Sequence, residues 1–426
     1  TRRFWVQILA GAPNMKKLLK IKPIFQIIFF SLFAKLFAAY FYADTELVNE
    51  WGVIFHNFNL SGIFGYNVAL NEYYAIPKFA EVGEKVLPTI FMPPLYFYFI
   101  YLIDFLSTGL IKTVNFIIFF QIIFSLISIH IFYSIIIQFE KKNLSNLITF
   151  LFAFFPLNIY ATVQISSITL QIFLFLCFFL FLLKLRKKIK INNLFSFSFF
   201  SGLLILMRGE FFLFYFFSLF YFFIFESKKI KTIIISLAIT LMVISPYIYR
   251  NYLNFNTFAL TKSFGYNLLK GNNPTLKIEG NASFVENEFD RKKLRIKTDN
   301  DYEINLDNLY RDKALNFLQT DTLKYVKFYF LKIFAFLFFD INSTYPNYYN
   351  FVHLGPKLVL SFMSFVGALF FLKKKGFYQF LSIFYFLNIF LFSVFFILPR
   401  YSLILLPIKL LLCIGLLKKF MRKTLE

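Results

Sequence analysis

Tyr42-Ala43-Asp44-Thr45-Glu46-Leu47-Val48-Asn49-Glu50-Trp51 follows directly on the first strongly apolar run of the chain, residues 24–42. That run is long enough to cross a bilayer, whose hydrocarbon core takes about 20 apolar residues in helix. The stretch after it places Asp44, Glu46 and Glu50 within seven residues, where a span should be leaving the membrane. Acid is scarce in this chain, with 22 Asp and Glu against 45 Lys and Arg in 426 residues. Working outward, the whole chain is 59% hydrophobic and 23% aromatic, with 69 Phe. Soluble domains hold roughly 45–50% apolar residues, and apolar runs of span length recur along this sequence. These features predict an all-α polytopic membrane protein. Part of the Phe, Ile, Lys and Asn excess reads as codon bias of an AT-rich genome.

The formal net charge of +23 raises nucleic acid as a partner. The cations sit instead in short clusters beside apolar runs, as topology signals and contacts to anionic headgroups do. The expected surroundings are therefore a lipid bilayer and no nucleic acid. Cys177 and Cys413 fall inside apolar segments, and His56, His130 and His353 are far apart. Neither set has a metal-ligand spacing. No cofactor is called for, and a divalent metal is neither indicated nor excluded. Residues 1–14 precede Met15-Lys16-Lys17, which resembles a natural start, so these fourteen read as a leader or non-native segment.

If the basic clusters at 16–22, 141–142, 184–190, 228–231, 373–375 and 418–423 face the cytoplasm, the crossings can be counted between them. The count gives about ten spans with both termini inside. Two apolar runs are left over, 91–106 and 325–339, and these are expected to be interfacial or re-entrant. Two polar loops, 43–92 and 251–325, lie outside and carry 16 of the 22 acids. The expected division is a transmembrane catalytic module over 15–250, a polar subdomain over 251–325 and a C-terminal transmembrane segment over 326–426. Only Lys35, Asp104 and Lys409 sit well inside apolar runs.

This topology brings Asp44, Arg208, Arg250 and Arg400 to one surface. A carboxylate there suits a general base, and an Arg fork suits phosphate oxygens. Each has a plainer reading. Asp44 would also serve as a helix N-cap. Glu46 and Glu50, four apart, would face each other on a helix and be solvated or held by a cation. Each Arg ends an apolar run and would also snorkel to headgroups. Lys85 reads as a phosphate contact or as an exposed loop charge.

Several stretches resemble the bacterial branch of the dolichyl-phosphate-mannose-protein mannosyltransferase-like superfamily. These are GT-C membrane glycosyltransferases that include the aminoarabinose transferases of lipid A. Asp44 matches the first-loop aspartate of that family. Pro88-Thr89-Ile90-Phe91-Met92-Pro93-Pro94-Leu95-Tyr96 is similar to its proline-proline-x-tyrosine segment. Leu206-Met207-Arg208-Gly209-Glu210 is similar to its arginine-proline-glutamate turn, with Gly209 in place of proline. Ser245 to Tyr252, with Gly265 to Pro274, is the nearest match, and Pro399-Arg400-Tyr401 resembles the last patch.

The resemblance implies a GT-C-like bundle and an inverting transfer of a sugar from a polyprenyl phosphate. The acceptor would be a glycolipid, lipopolysaccharide or protein at the periplasmic face of a bacterial inner membrane. It implies Asp44 as base, with Glu46 as the second catalytic candidate. Lys85, Arg208, Arg250, Arg400 and Tyr401 would be donor-phosphate or acceptor contacts. Glu50, Tyr96, Glu210 and Asn272 are secondary candidates. One departure stands out: Gln164-Ile165-Ser166-Ser167-Ile168-Thr169 lacks the second acid that family members often carry in that loop. A polytopic lipid or polysaccharide transporter and a catalytically dead relative are the competing readings.

Overall fold

The computed structural model describes residues 22–107, 112–225, 230–374 and 376–423. Residues 1–14 and the start of the first basic cluster lie outside these. Helix α1 (Pro23–Tyr42) opens with Pro at its first position, where the missing N–H costs nothing. It is apolar on every face, and Phe25, Phe29, Phe30, Phe33 and Phe37 are exposed on it. An all-apolar helix with its aromatics uncovered by protein is a helix built for lipid. Beyond it come α2 (Glu50–Ser61), strands β1 (Gly65–Asn71), β2 (Tyr74–Pro77) and β3 (Lys85–Pro88), then α3 (Leu95–Leu106) and α4 (Thr113–Ile136). Next are α5 (Lys142–Ala153), α6 (Pro156–Thr162), α7 (Ile168–Lys187), α8 (Ile191–Met207), α9 (Phe211–Phe225) and α10 (Ile230–Phe255).

Helices α1, α4, α7, α10 and α16 (Phe351–Phe371) are long and apolar enough to cross a membrane. The pair α5 and α6 passes as a sixth span only if taken together, because it bends by 52° at its break. Pro156 explains the bend, since it forces Phe155 into extended backbone before the chain re-enters helix. The apolar run 145–160 is thus broken in two. Helix α3 has 12 residues, about 18 Å at 1.5 Å per residue, against a hydrocarbon core of about 30 Å. Most of α7 is covered by protein, and it packs between α4 and α8. Helices α8 and α10 meet at Gly202, where a Cβ would lie 2.7 Å from Val243.

The charges inside apolar runs have local partners. Lys35 donates to Ser31, Lys409 Nζ donates to Ser361 Oγ at 3.0 Å, and Asp104 accepts from Thr113 at 2.6 Å. Away from water, such partners hold polar groups that lipid cannot solvate.

The two polar loops fold together into one module. Its sheet is antiparallel with order β2-β1-β3, and Asn71 Oδ1 accepts from Tyr73 N at 2.9 Å in the β1–β2 turn. The all-α expectation therefore needs correcting by this small sheet. Strands of seven, four and four residues that include Asn and Pro carry little β signal. Helices α11 (Phe264–Gly271), α12 (Ala282–Glu288), α13 (Arg291–Leu294) and α14 (Tyr302–Thr320) complete the module. Ala75 and Leu87 from the sheet share one core with Leu268, Leu269, Val285, Tyr302, Leu306, Tyr310 and Ala314. Helices α15 (Thr322–Leu337), α17 (Phe377–Ser393) and α18 (Leu406–Lys423) close the chain, with 3-10 turns at Pro346–Tyr348 and Pro399–Leu405.

Candidate functional site

The segment after α1 is not helical. Asp44 is no N-cap: Asn49 caps α2, its Oδ1 accepting from Trp51 N at 3.1 Å and Gly52 N at 3.2 Å. Glu46 is exposed in the extended segment, so it does not share a helix face with Glu50. The segment is instead stitched to the loop before α7. Asp44 Oδ2 accepts from Ile165 N at 2.6 Å, and Asp44 N donates to Val163 O at 3.3 Å. Gln164 donates to Tyr42 O at 2.6 Å, and Asn49 Nδ2 donates to Ile165 O at 3.0 Å. The loop that lacks a second acid thus supplies the amide that orients Asp44. Gln121 braces that loop through Thr162 O and Gln164 O, and the hydroxyl of Tyr96 donates to Gln121 at 3.1 Å. Tyr96 is fully buried and acts as a strut rather than a ligand contact.

Arg400 comes to Asp44 from the far end of the chain. The Tyr348 hydroxyl lies near its guanidinium. Burial raises the Asp44 carboxyl above its usual range, and the Ile165 amide and Arg400 only partly offset that. Arg208 and Glu210 stand in the turn between α8 and α9 and pair at 3.1 Å. The Arg208 guanidinium lies 4.8 Å from the Phe392 ring and 4.7 Å from the Tyr401 ring. Burial works to raise Glu210, but the Arg208 charge and hydrogen bond override it and hold the carboxyl low. Two carboxylates at one end of the bundle are thereby pushed in opposite directions.

A cleft of about 450 Å³ runs from Arg208, Glu210 and Arg400 into the polar module, and Asp44 is not among its lining residues. Arg208, Glu210, Arg400, Tyr401, Glu50, Met92 and Pro93 line it. Deeper in the module, Tyr66 stacks on Phe91 at 5.6 Å and Tyr266 meets Phe91 edge-on at 5.4 Å.

Three expected contacts lie elsewhere. Arg250 is spent on protein: Nη1 donates to Thr89 O at 2.7 Å and Asn251 at 2.9 Å, and Nη2 to Phe64 O at 3.1 Å. Its guanidinium also sits among the rings of Phe64, Tyr247 and Phe255, so it ties α10 to the sheet rather than facing the cleft. Lys85, on β3, lines a different open cavity of about 740 Å³ together with Asn254 and Lys297. Asn272 is buried, donating to Leu268 O and Val394 O at 2.9 Å each and accepting from Lys332 at 2.8 Å.

Other cleft residues were invisible in the sequence. Glu303 accepts from Asn67 at 2.5 Å, Thr89 Oγ1 at 2.7 Å and Ile90 N at 2.8 Å. Burial raises its carboxyl, and these bonds oppose the rise. Arg291 donates to Asn67 at 3.2 Å and lies near the Tyr310 hydroxyl. An acid within an Asn- and Asp-rich segment carries no local sign of such a role. Among the described residues no group of three or more His, Cys, Asp and Glu could hold a metal ion.

No protein-family model matches the sequence, and no curated protein sequence matches it. An oligosaccharyltransferase of Archaeoglobus fulgidus, solved with a tethered acceptor peptide containing the NVT sequon, has a similar structure. Its TM-score is 0.54 at 12% identity, over 96% of this chain and 50% of that one. At that identity the likeness concerns the fold alone, and this chain spans about half the length of that neighbour. The helical bundle carries the cleft where its helices meet the polar module.

Proposed function

We propose that this chain is a membrane glycosyltransferase that moves a sugar from a polyprenyl-phosphate donor to a glycolipid, lipopolysaccharide or protein acceptor. The acting face would be the outer face of a bacterial inner membrane. The observation that carries this reading is that Asp44 comes within electrostatic reach of Arg400, 356 positions on in the sequence, and that Arg400 lines a cleft together with Arg208 and Glu210.

Asp44 is the base. One of its oxygens is held by the Ile165 amide, which fixes the carboxylate while the other oxygen takes the acceptor proton. Its raised carboxyl is the more basic for being buried. Arg400 and Arg208 bind the donor phosphate, where charge builds as the sugar leaves. The sugar C1–O bond to phosphate breaks with its electron pair staying on the phosphate oxygen, and the acceptor oxygen bonds to C1 from the opposite face. The module over the cleft limits access of water, which competes as acceptor.

Membranes holding wild type or Asp44→Asn, given polyprenyl-phosphate sugars and followed for label in glycolipid and protein, test this. Loss of a general base is expected to slow transfer by about 10²–10⁴-fold in a folded variant. Transfer at the wild-type rate by Asp44→Asn would remove Asp44 from the mechanism.

A further inference from the structure

Five cations line the cleft: Arg208, Lys262, Lys270, Arg291 and Arg400. Two are held by protein partners: Arg208 pairs with Glu210, and Arg291 donates to Asn67. Of the other three, Lys270 is the one that rests against aromatic rings. Among the described residues its ammonium makes no hydrogen bond or ion pair, and it rests 4.4 Å from the Phe396 ring and 5.9 Å from the Tyr266 ring. A half-buried ammonium whose direct contacts are ring faces, with Glu50 and Glu286 acting on it only through space, is suited to a ligand anion.

The fold holds this side chain in place. Asn281 N donates to Lys270 O at 3.0 Å, and a Cβ on Gly280, whose φ is +78°, would lie 2.7 Å from Lys270 Cγ. The next residue, Gly271, packs on the backbone of Phe395 and Phe396, closer than a Cβ would allow. Lys332, fully buried, fastens the same junction by donating to Gly271 O, Asn272 Oδ1, Val394 O and Phe395 O at 2.7–3.3 Å. The stem of Lys270 is thus clamped, and its head is left in the cleft within electrostatic reach of Arg400, Glu50 and Glu286.

We propose that Lys270 is a phosphate contact of the transfer reaction, a third cation beside Arg400 and Arg208 for the oxygen that takes the electron pair when the sugar C1–O bond breaks. The identity of the anion rests on the glycosyltransferase reading. The free cation in the cleft does not.

Two measurements on the full chain in nanodiscs of zwitterionic lipid test this. In the first, undecaprenyl phosphate and, separately, inorganic phosphate are titrated onto wild type, Lys270→Gln and Lys270→Arg. A charged hydrogen bond lost to one oxygen predicts weakening by about 10- to 100-fold in Lys270→Gln for undecaprenyl phosphate, with recovery in Lys270→Arg. Equal weakening for inorganic phosphate would make the lipid tail irrelevant to this contact and still support it. Undecaprenyl phosphate binding Lys270→Gln as tightly as wild type would overturn it. In the second, amine-reactive labelling of Lys270 in wild type is read by mass spectrometry, which needs no variant to fold. Protection by undecaprenyl phosphate is expected, and unchanged labelling overturns the contact. Lys270-dependent phosphate binding with no sugar transfer from any donor would sink the glycosyltransferase reading and leave the contact. Transfer that survives Lys270→Gln at the wild-type rate would sink the contact alone.

Discussion

Two charged clusters occupy the same end of the helical bundle. Arg208, Glu210 and Arg400 line the cleft, with Asp44 within electrostatic reach of Arg400. Behind them, Arg250 and Glu303 meet at the residues leading out of β3. Both clusters join an acid and arginines brought from distant parts of the chain. They differ in how fully the protein satisfies them. Arg250 reaches Thr89 O, Phe64 O and Asn251, and Glu303 receives Asn67, Thr89 and Ile90, so both act as clamps between the sheet, α10 and α14. Asp44 takes one amide, and Arg400, near the Tyr348 hydroxyl, keeps donors free for the cleft. Charge left unsatisfied at a cavity is what a ligand can use, whereas saturated charge is architecture.

The comparison breaks most visibly at Arg400. Arg400→Gln is expected to lower kcat/KM for transfer by about 10²-fold, the scale of losing a donor aimed at developing charge. Its thermal unfolding should match wild type. A large fall in melting temperature with normal transfer per folded molecule would move Arg400 into the clamp.

Arg250→Met should do the reverse. It strips donors from two main-chain carbonyls and one amide oxygen, so the chain is expected to lose about 1–3 kcal/mol of stability. Transfer per folded molecule should hold. Denaturant unfolding in detergent beside a transfer assay separates the two, and a transfer defect without destabilisation would return Arg250 to the site.

The smallest effect is in pH dependence. Asp44 is raised and must be ionised to accept a proton, so the rate should fall on acidification at a pH above the usual aspartate range of about 4. Glu210, held low by Arg208, keeps its pair through that window and should not contribute. A pH–rate profile whose acid limb is unchanged in Asp44→Glu but moves in Glu210→Gln would assign the limb to the wrong carboxylate.

Much of the site's outline was legible. Asp44 drew notice as an acid directly after a span, and Arg208, Glu210, Arg400 and Tyr401 as polar groups in short turns between apolar runs. All but Asp44 line the cleft, and Asp44 stands within the electrostatic reach of Arg400. Arg250 and Asn272 looked alike in sequence and proved to be clamps. Lys85 looked alike and lies at another cavity. Lys270, Glu303 and Arg291 carry no such sign, because nothing within a few residues of them distinguishes a cleft residue from a surface charge.

Composition and the lengths of the apolar runs determined by themselves that the chain is a multi-pass helical membrane protein. Lipid offers no partner to an open backbone, so span-length apolar runs have one local solution. They also determined that the acids gather in two polar segments. Only the tertiary structure decided that these segments form one module with a sheet, that Asn49 rather than Asp44 caps α2, and which cations are spent. Apart from the local bonds of the Asn49 cap, the hydrogen bonds that settle those questions join residues more than a hundred positions apart, from Asp44 to Ile165, from Arg250 to Thr89 and from Glu303 to Asn67. Their energies depend on a geometry that exists only once the bundle and the module have packed.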